Sequence, residues 1–434
     1  RNFISSLGSL KVKAFRTLKF STQYKLIRFE NGEHDSILDV LNKHPEVEYA
    51  EPNFIYKTVN YDYVPQDEVF SSQWGLLNIG QRLDTKYKMT PGSDIKMLKA
   101  WSVNPEVAEA ARDIIVAVID TGVNYKHEDL KDNMWVNAGE SGPWQPANQD
   151  DVDRAPGCWD KSCNKLDDDD NGYVDDIYGW NWTDKRSRTG QSNRMRDDHG
   201  HGSHCAGIIG ASHNDVGIAG INARVQLMGL KFLSKKGQGT LEGAIDAVAY
   251  AANMGAQVIN ASWGGGQPSQ ALYDAIKYAS DKGVLFVAAS GNAALNNDYF
   301  GSYPANYKID GVISVAASDF NDERAFFSNY GKKSVHVSAP GHVIKSTTLG
   351  KKQYQFMSGT SMAAPHVAGL AAMALGLKSD KFVGKPAELK KYLIKTSDRS
   401  VALNWLLESG GRVNAFNIVK ELIPVGNTDP KRRG

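Results

Sequence analysis

The stretch Ile114-Ile115-Val116-Ala117-Val118-Ile119, closed by Asp120-Thr121-Gly122, decides the fold class of this 434-residue chain. Its six apolar residues are too few for a helix and rich in β-branching, so they read as a strand buried on both faces. Such strands belong to parallel sheets covered by helices. The same kind of run recurs at residues 225–230, 257–261, 283–289 and 312–316. Helical patterns fall at residues 240–254, 268–279, 362–377 and 387–395. Alternating strands and helices predict an α/β fold with a mostly parallel, doubly wound sheet and helices on both faces. Asp120 then sits at the C-terminal edge of the sheet, where ligand sites of open α/β folds gather.

Upstream the pattern differs. Residues 1–60 read as a small α+β unit. A strand is expected over 24–29, where polar and apolar residues alternate. Asp35 or Ser36 could cap a helix carrying Ile37, Leu38 and Leu41, ending before Pro45, and residues 47–50 are expected as a second strand. Residues 61–73 are polar and irregular and suit a processing linker. The main domain is expected over 74–424, with a polar tail over 425–434. Because the sequence opens on Arg1 rather than Met, an upstream segment is expected to have been removed.

Composition narrows the function classes. A formal net charge of +1 argues against a strong electrostatic pull toward nucleic acid or anionic membrane. The longest apolar candidate, residues 362–377, is interrupted by Pro365, His366 and glycines, so a buried helix is expected rather than a membrane span. Of the three cysteines, Cys158 and Cys163 bracket a short loop and are expected as a disulfide, the alternative being two free thiols. No second Cys or His pair at ligand spacing supports zinc there. Cys205, four residues after His201, reads as a small buried hydrophobe rather than a reactive thiol.

Three short motifs carry chemistry. They are Asp120-Thr121-Gly122, His201-Gly202-Ser203-His204-Cys205-Ala206-Gly207, and Gly359-Thr360-Ser361-Met362-Ala363-Ala364-Pro365-His366. An acid, a histidine and a serine can turn a serine hydroxyl into a nucleophile. Asp-Thr-Gly alone also marks aspartic proteases, but these need two carboxylates sharing a proton, and no second such motif exists. Ser361 opens an apolar helix, where its backbone N–H can face a developing oxyanion and the dipole favours negative charge.

The order Asp, His, Ser and the flanking residues resemble the subtilisin-like serine proteases. The resemblance covers roughly residues 20–420. It implies a secreted serine endopeptidase made as a zymogen, with residues 1–60 as its own inhibitory propeptide of ferredoxin-like α+β fold. It also implies polypeptide substrates; a monomer is expected. His201 opens the family's His-Gly-[Thr/Ser]-His pattern, which implies that it is the general base, oriented by Asp120; His204 is expected to be structural and His199 a solvated loop residue. Ser203 stands where Thr is usual and keeps the hydroxyl. Asn292, after Gly291, matches the family's side-chain oxyanion donor, whose removal costs about 10²–10³ in turnover in a subtilisin.

The resemblance also implies where substrate lies. Ser262, Trp263 and Gly264 match the strand that pairs with extended substrate, and Gly237 and Gly239 the facing edge; glycines let another backbone approach closely. Ala289, Ser290, Gly291 and Ser302 match the main specificity pocket, with Ser302 where Gly is frequent. Medium or large uncharged residues are therefore expected before the cut.

A second feature is the acid-rich run from Asp167 to Asp176. Asp167, Asp169, Asn171, the Tyr173 carbonyl and Asp175 follow the opening positions of an EF-hand loop, with Gly172 at the sharp turn. The closing bidentate Glu is missing, since Tyr178 takes its place; Asp176 can substitute. Adjacent carboxylates repel unless a cation compensates, so structural Ca²⁺ is expected.

Overall fold

The computed structural model describes residues 12–18, 23–29, 34–50, 63–83, 88–265, 267–350 and 353–423. The chain divides into two compact units, Arg1–Asn60 and Tyr61–Gly434.

In the smaller unit, β1 (Val12–Thr17) pairs antiparallel with β2 (Lys25–Phe29), and a helix follows over His34–Asn42. Ile37 and Leu41 bury one face of that helix, with Val12, Ile27, Phe29 and Ala50 packed against it. The expected strand over 47–50 does not form. Ala50 is held by a side chain instead: its N–H donates to Asn42 Oδ1 at 2.6 Å, and Asn42 Nδ2 donates to its carbonyl at 3.2 Å. One amide thus stands in for a ladder, which is how Asn competes with regular pairing. The full ferredoxin-like layout reaches into residues outside those described.

The larger unit is built on β3 (Ile115–Asp120), β4 (Gly179–Asn181), β5 (Gln226–Lys231), β6 (Val258–Ala261), β7 (Leu285–Ala289), β8 (Val312–Ser318), β9 (Val337–Pro340), the hairpin β10 (Ile344–Thr347) with β11 (Tyr354–Met357), and the short β12 (Asp398–Arg399) and β13 (Gly411–Arg412). Nine of them form one sheet in the order β12-β13-β9-β8-β7-β6-β3-β5-β4, parallel except at β12–β13. The chain leaves β3 toward β4 and β5 on one side, then crosses to β6–β9 on the other. β3 is therefore the switch point, and the crevice at its C-terminal end is the place for a site.

β3, β6, β7 and β8 are buried along nearly their whole length, matching their unbroken apolar runs. The helix Thr360–Leu377 lies in the core, packed against β6–β9 and the helix His201–Gly210. It is long and apolar enough to cross a membrane by composition, yet 83% of it is buried inside the protein. Thr240 and Ser269 cap the helices Leu241–Asn253 and Gln270–Asp281, each accepting a backbone N–H at the third helical residue. Residues 63–73, expected as a linker, belong to the larger unit: Asp67, Phe70, Gln73 and Trp74 are buried, and Tyr63 stacks edge-on to Trp101.

Candidate active site

Asp120, the last residue of β3, is fully buried. Its Oδ1 accepts the Thr121 N–H at 2.7 Å, which fixes the carboxylate rotamer. His201 is the first residue of the helix His201–Gly210. Its Nδ1 lies 2.8 Å from Asp120 Oδ1 and 3.0 Å from Oδ2, so Nδ1–H donates to the acid and Nε2 faces the cleft. This close approach needs Gly202, because a Cβ there would sit 2.1 Å from the Gly122 carbonyl. Burial pulls the His201 pKa down, but the charge and hydrogen bond of Asp120 outweigh it, and the net shift is upward from 6.5.

His204 and His199 divide as expected. His204 is buried, and its Nε2 bridges the carbonyls of Ile344 and Gln355 at 3.0 and 3.1 Å, tying β10 and β11 to the helix. Burial drops its pKa to about 3. His199 is exposed. Cys205 is a buried free thiol whose pKa burial pushes well up, so it is inert as a nucleophile.

Ser361 is the second residue of the helix Thr360–Leu377. Four residues on stands Pro365, which has no N–H to close the helical bond to the Ser361 carbonyl. That freed carbonyl accepts instead from Ser262 Oγ at 2.8 Å and Cys205 Sγ at 3.4 Å. Ser361 Oγ in turn donates to the Ser262 carbonyl at 3.0 Å. The serine is thereby clamped reciprocally to the segment after β6.

Asn292 Oδ1 accepts from the Thr360 N–H at 2.8 Å and the Thr360 hydroxyl at 3.0 Å. Because the oxygen must face those donors, Nδ2 faces the cleft. A Cβ on Gly359 would lie 3.5 Å from Asn292 Nδ2 and 3.6 Å from the Ser361 nitrogen. Glycine at 359 thus leaves open the space between these two N–H groups.

The residues expected to bind substrate fall on three segments, after β6, from the end of β7 onward and on the turn after β5. Ser262, Trp263 and Gly264 continue from β6; Gly264 and Gly265 are exposed, and Gly265 and Tyr303 exchange backbone hydrogen bonds of 2.8 and 3.2 Å. Ser302 Oγ lies 3.6 Å from the Cβ site of Gly264 and 3.1 Å from that of Gly291. Ser302 thus approaches both glycines, while Ala289 and Ser290, which lead into Gly291, are buried. Against Ser290 stands a pair of buried amides the sequence did not single out. Asn297 Nδ2 and Asn329 Nδ2 both donate to the Ser290 carbonyl, at 2.9 and 3.2 Å. Gly237 and Gly239 lie on an exposed turn closed by Ser234 N–H to Gln238 O at 2.9 Å. Gly239 packs on the Phe232 carbonyl, where a Cβ would come within 2.4 Å.

In the acid-rich loop, Asp169 and Asp176 come together with Glu140, with ligand oxygens within 4.8 Å of one another. Glu140 was not among the expected ligands. Its Oε1 accepts the Asp168 N–H at 2.7 Å, while Oε2 is buried with no partner among the described residues. Burial pushes the Glu140 pKa up to about 7 and raises that of Asp176. Asn171 Nδ2 donates to both Asp169 and Asp176, and Asp167 accepts the N–H groups of Asn171 and Gly172. Tyr173 lies beside them, its ring edge-on to Tyr250. Asp175 is not brought into this group; its Oδ1 accepts the Lys165 N–H at 3.1 Å. Three crowded carboxylates with an orphaned buried oxygen fit a hard dication. Cys158 and Cys163, just ahead of the loop, are joined in a disulfide. Elsewhere, Asp67 Oδ2 is buried without a hydrogen-bond partner among the described residues, while the nearby Asp129 faces the Tyr354 hydroxyl.

The subtilase family model matches residues 111–415. A thermophilic serine proteinase of Bacillus sp. (strain AK1) is 33% identical over 390 residues, covering 89% of this chain and 76% of that one. Thermitase of Thermoactinomyces vulgaris is 37% identical over 245 residues, covering 56% of this chain and 81% of its own. Among solved structures, a protease from Pseudoalteromonas arctica PAMC 21717 superposes with a TM-score of 0.59 at 26% identity, covering 82% of this chain and 99% of that one. The match spans the sheet, the switch point and all three motif-bearing segments, and the chain belongs to the subtilase family as a serine endopeptidase of the subtilisin type.

Proposed function

We propose that this subtilase is a secreted enzyme made as a zymogen, which hydrolyses polypeptides through Asp120, His201 and Ser361 and is stabilised by calcium. The observation that supports the reading is the hydrogen-bonded Asp120–His201 pair, with His201 on a helix whose Cys205 Sγ reaches the Ser361 carbonyl at 3.4 Å, and a space flanked by Asn292 Nδ2 and the Ser361 N–H beside that serine. An extended substrate adds as a strand along Ser262–Gly264 and its N–H takes the Ser262 carbonyl. That releases the Ser361 hydroxyl from its 3.0 Å bond and turns it toward His201 Nε2. His201 then accepts the Ser361 proton as Oγ attacks the carbonyl carbon, and returns it to the leaving amine. Asp120 holds the tautomer and stabilises the imidazolium. Asn292 and the Ser361 N–H hold the oxyanion.

Glu140, Asp169 and Asp176 would hold the cation, which would supply positive charge to an acidic cluster in which Glu140 and Asp176 are buried, and no chemistry to the reaction. Residues 1–60 act as the intramolecular inhibitor. The maturation cut falls ahead of Tyr63, since Tyr63 and Asp67 are already built into the catalytic unit. The test is intact-protein mass spectrometry of the full chain, with calcium or chelator, beside Ser361→Ala. A calcium-dependent cut ahead of Tyr63, absent in Ser361→Ala, is expected. Peptide cleavage surviving in Ser361→Ala would overturn the reading.

A further inference from the structure

Asp197 and Lys231 are both buried, at 4% and 3% exposure, and the hydrolytic steps above use neither. Both converge on Thr121, the residue after the catalytic acid. Asp197 Oδ1 accepts from Thr121 Oγ1, the His199 N–H and the Gly200 N–H, each at 2.9 Å. Its Oδ2 accepts from the Ser203 N–H at 2.9 Å and the Ser203 hydroxyl at 2.6 Å. Thr121 Oγ1 accepts in turn from the Gly202 N–H at 2.9 Å. A chain of bonds thus runs from the first turn of the His201 helix, through Thr121, to Asp197. The Thr121 carbonyl is held from the other side by Lys231 Nζ at 2.6 Å, which also reaches Asp198 Oδ1 at 2.7 Å and the Leu233 carbonyl at 3.0 Å. Lys231 stands beside Asp120 in the β3–β5 register.

We propose that Asp197 is a positioning residue for the base, acting through Thr121 and the Gly200–Ser203 turn, with Lys231 as the opposing anchor. A buried carboxylate with five donors is costly to misplace, and its donors come from both segments that carry the acid and the base. The brace fixes how Asp120 meets His201, and misplacement of a catalytic group by about 1 Å can cost about 100-fold in rate. Its charge also bears on the base. Burial lowers the His201 pKa, Asp120 more than restores it, and Asp197 adds to the upward pull. The titratable groups around His201 are Asp120 from β3, Asp197 and His199 from the preceding loop, and His204 and Cys205 from its own helix.

This inference rests on the triad reading, and its test keeps the two apart. The mature enzyme's kcat and kcat/KM are measured against pH on a peptide substrate for Asp197→Asn, Thr121→Val, Thr121→Ser and Ser361→Ala. Asp197→Asn is expected to lower kcat about ten- to a hundredfold with little change in KM. It also moves the acid limb of kcat/KM to lower pH, because the charge that favours protonated His201 is gone. Thr121→Val breaks the link but keeps the charge, so kcat falls while the acid limb stays; Thr121→Ser, which keeps the hydroxyl, restores kcat. Should Asp197→Asn not fold, the Thr121 pair decides alone. Wild-type kcat in Thr121→Val, or an unmoved acid limb in a folded Asp197→Asn, would overturn the brace. Hydrolysis surviving in Ser361→Ala would instead overturn the triad.

Discussion

Two groups of buried carboxylates in this protein face the same problem and meet it differently. Around the acid and the base, Asp120 and Asp197 are taken out of water, yet backbone N–H groups, hydroxyls and the imidazole supply a donor to each oxygen. At the acid-rich loop, Asp176 and the upstream Glu140 are equally buried, but Glu140 Oε2 has no donor among the described residues and the carboxylate oxygens of Glu140, Asp169 and Asp176 lie within 4.8 Å of one another. The difference comes from the elements beneath. A strand end and a helix N-terminus present several N–H groups to one point, whereas an irregular loop presents few. The first region keeps its charges by its own chain and can use them in a reaction. The second needs a charge from outside. Its upward-shifted carboxylates mark this: burial carries Glu140 to about 7.

The largest test of the self-sufficient region is Asn292→Ala. Removing the Nδ2 donor should lower kcat by about 10²–10³, a range taken from a subtilisin rather than from this chain. KM should stay within a few-fold, and the chelator dependence of Tm should be unchanged, because Asn292 belongs only to the site beside Ser361. A loss of the same size in KM would mean that the amide binds ground-state substrate instead.

The loop region is tested by thermal melts with calcium and with chelator. At calcium a hundredfold above its Kd, binding should add about 2.7 kcal/mol to stability. Glu140→Gln removes one carboxylate from the cluster, so the calcium-dependent rise in Tm should shrink while the melt in chelator stays or rises, since a buried repulsive charge is relieved. An unaltered calcium response in Glu140→Gln would remove Glu140 from the site and return the comparison to Asp169 and Asp176 alone.

What the sequence disclosed follows the same division. Strands buried on both faces announce themselves as unbroken apolar runs, so β3, β5, β6, β7 and β8 were legible within a residue or two. Asp120, His201 and Ser361 stood out as candidates because each sits in a short motif at an element's end. Residues that act at a distance were not. Glu140 lies well upstream of the acid-rich run, and nothing local links it to Asp169. Asp175 looks like its neighbours in sequence, yet its carboxylate turns to the Lys165 N–H. Asp197 reads as one more acid in a polar loop; His199, Gly200 and Ser203, just after it in the chain, supply four of its five donors, and the Thr121 hydroxyl that ties it to the β3 segment is brought near only by the β3–helix packing. The missing strand at 47–50 has a similar cause: an apolar pattern cannot show that Asn42 will supply the partners first.

The disulfide offers the finest cut between the two regions. Cys158 and Cys163 are separated by five positions, so reopening the bridge should cost about 2 kcal/mol by chain entropy alone. If the loop is ordered mainly by a cation, calcium binding to the paired Cys158→Ser and Cys163→Ser variant must also order residues that the bridge had already restrained. Calcium affinity should then fall, and the variant's Tm deficit should be larger in calcium than in chelator. If the deficit is equal in both, the bridge and the acidic cluster are independent, and the loop's geometry is set by hydrogen bonds such as Asp168 N–H to Glu140. The acid–base pair provides the control, because nothing in its bonding reaches the bridge. The acid limb of kcat/KM, which the upward-shifted His201 places above 6.5, should stay where it is in the same variant.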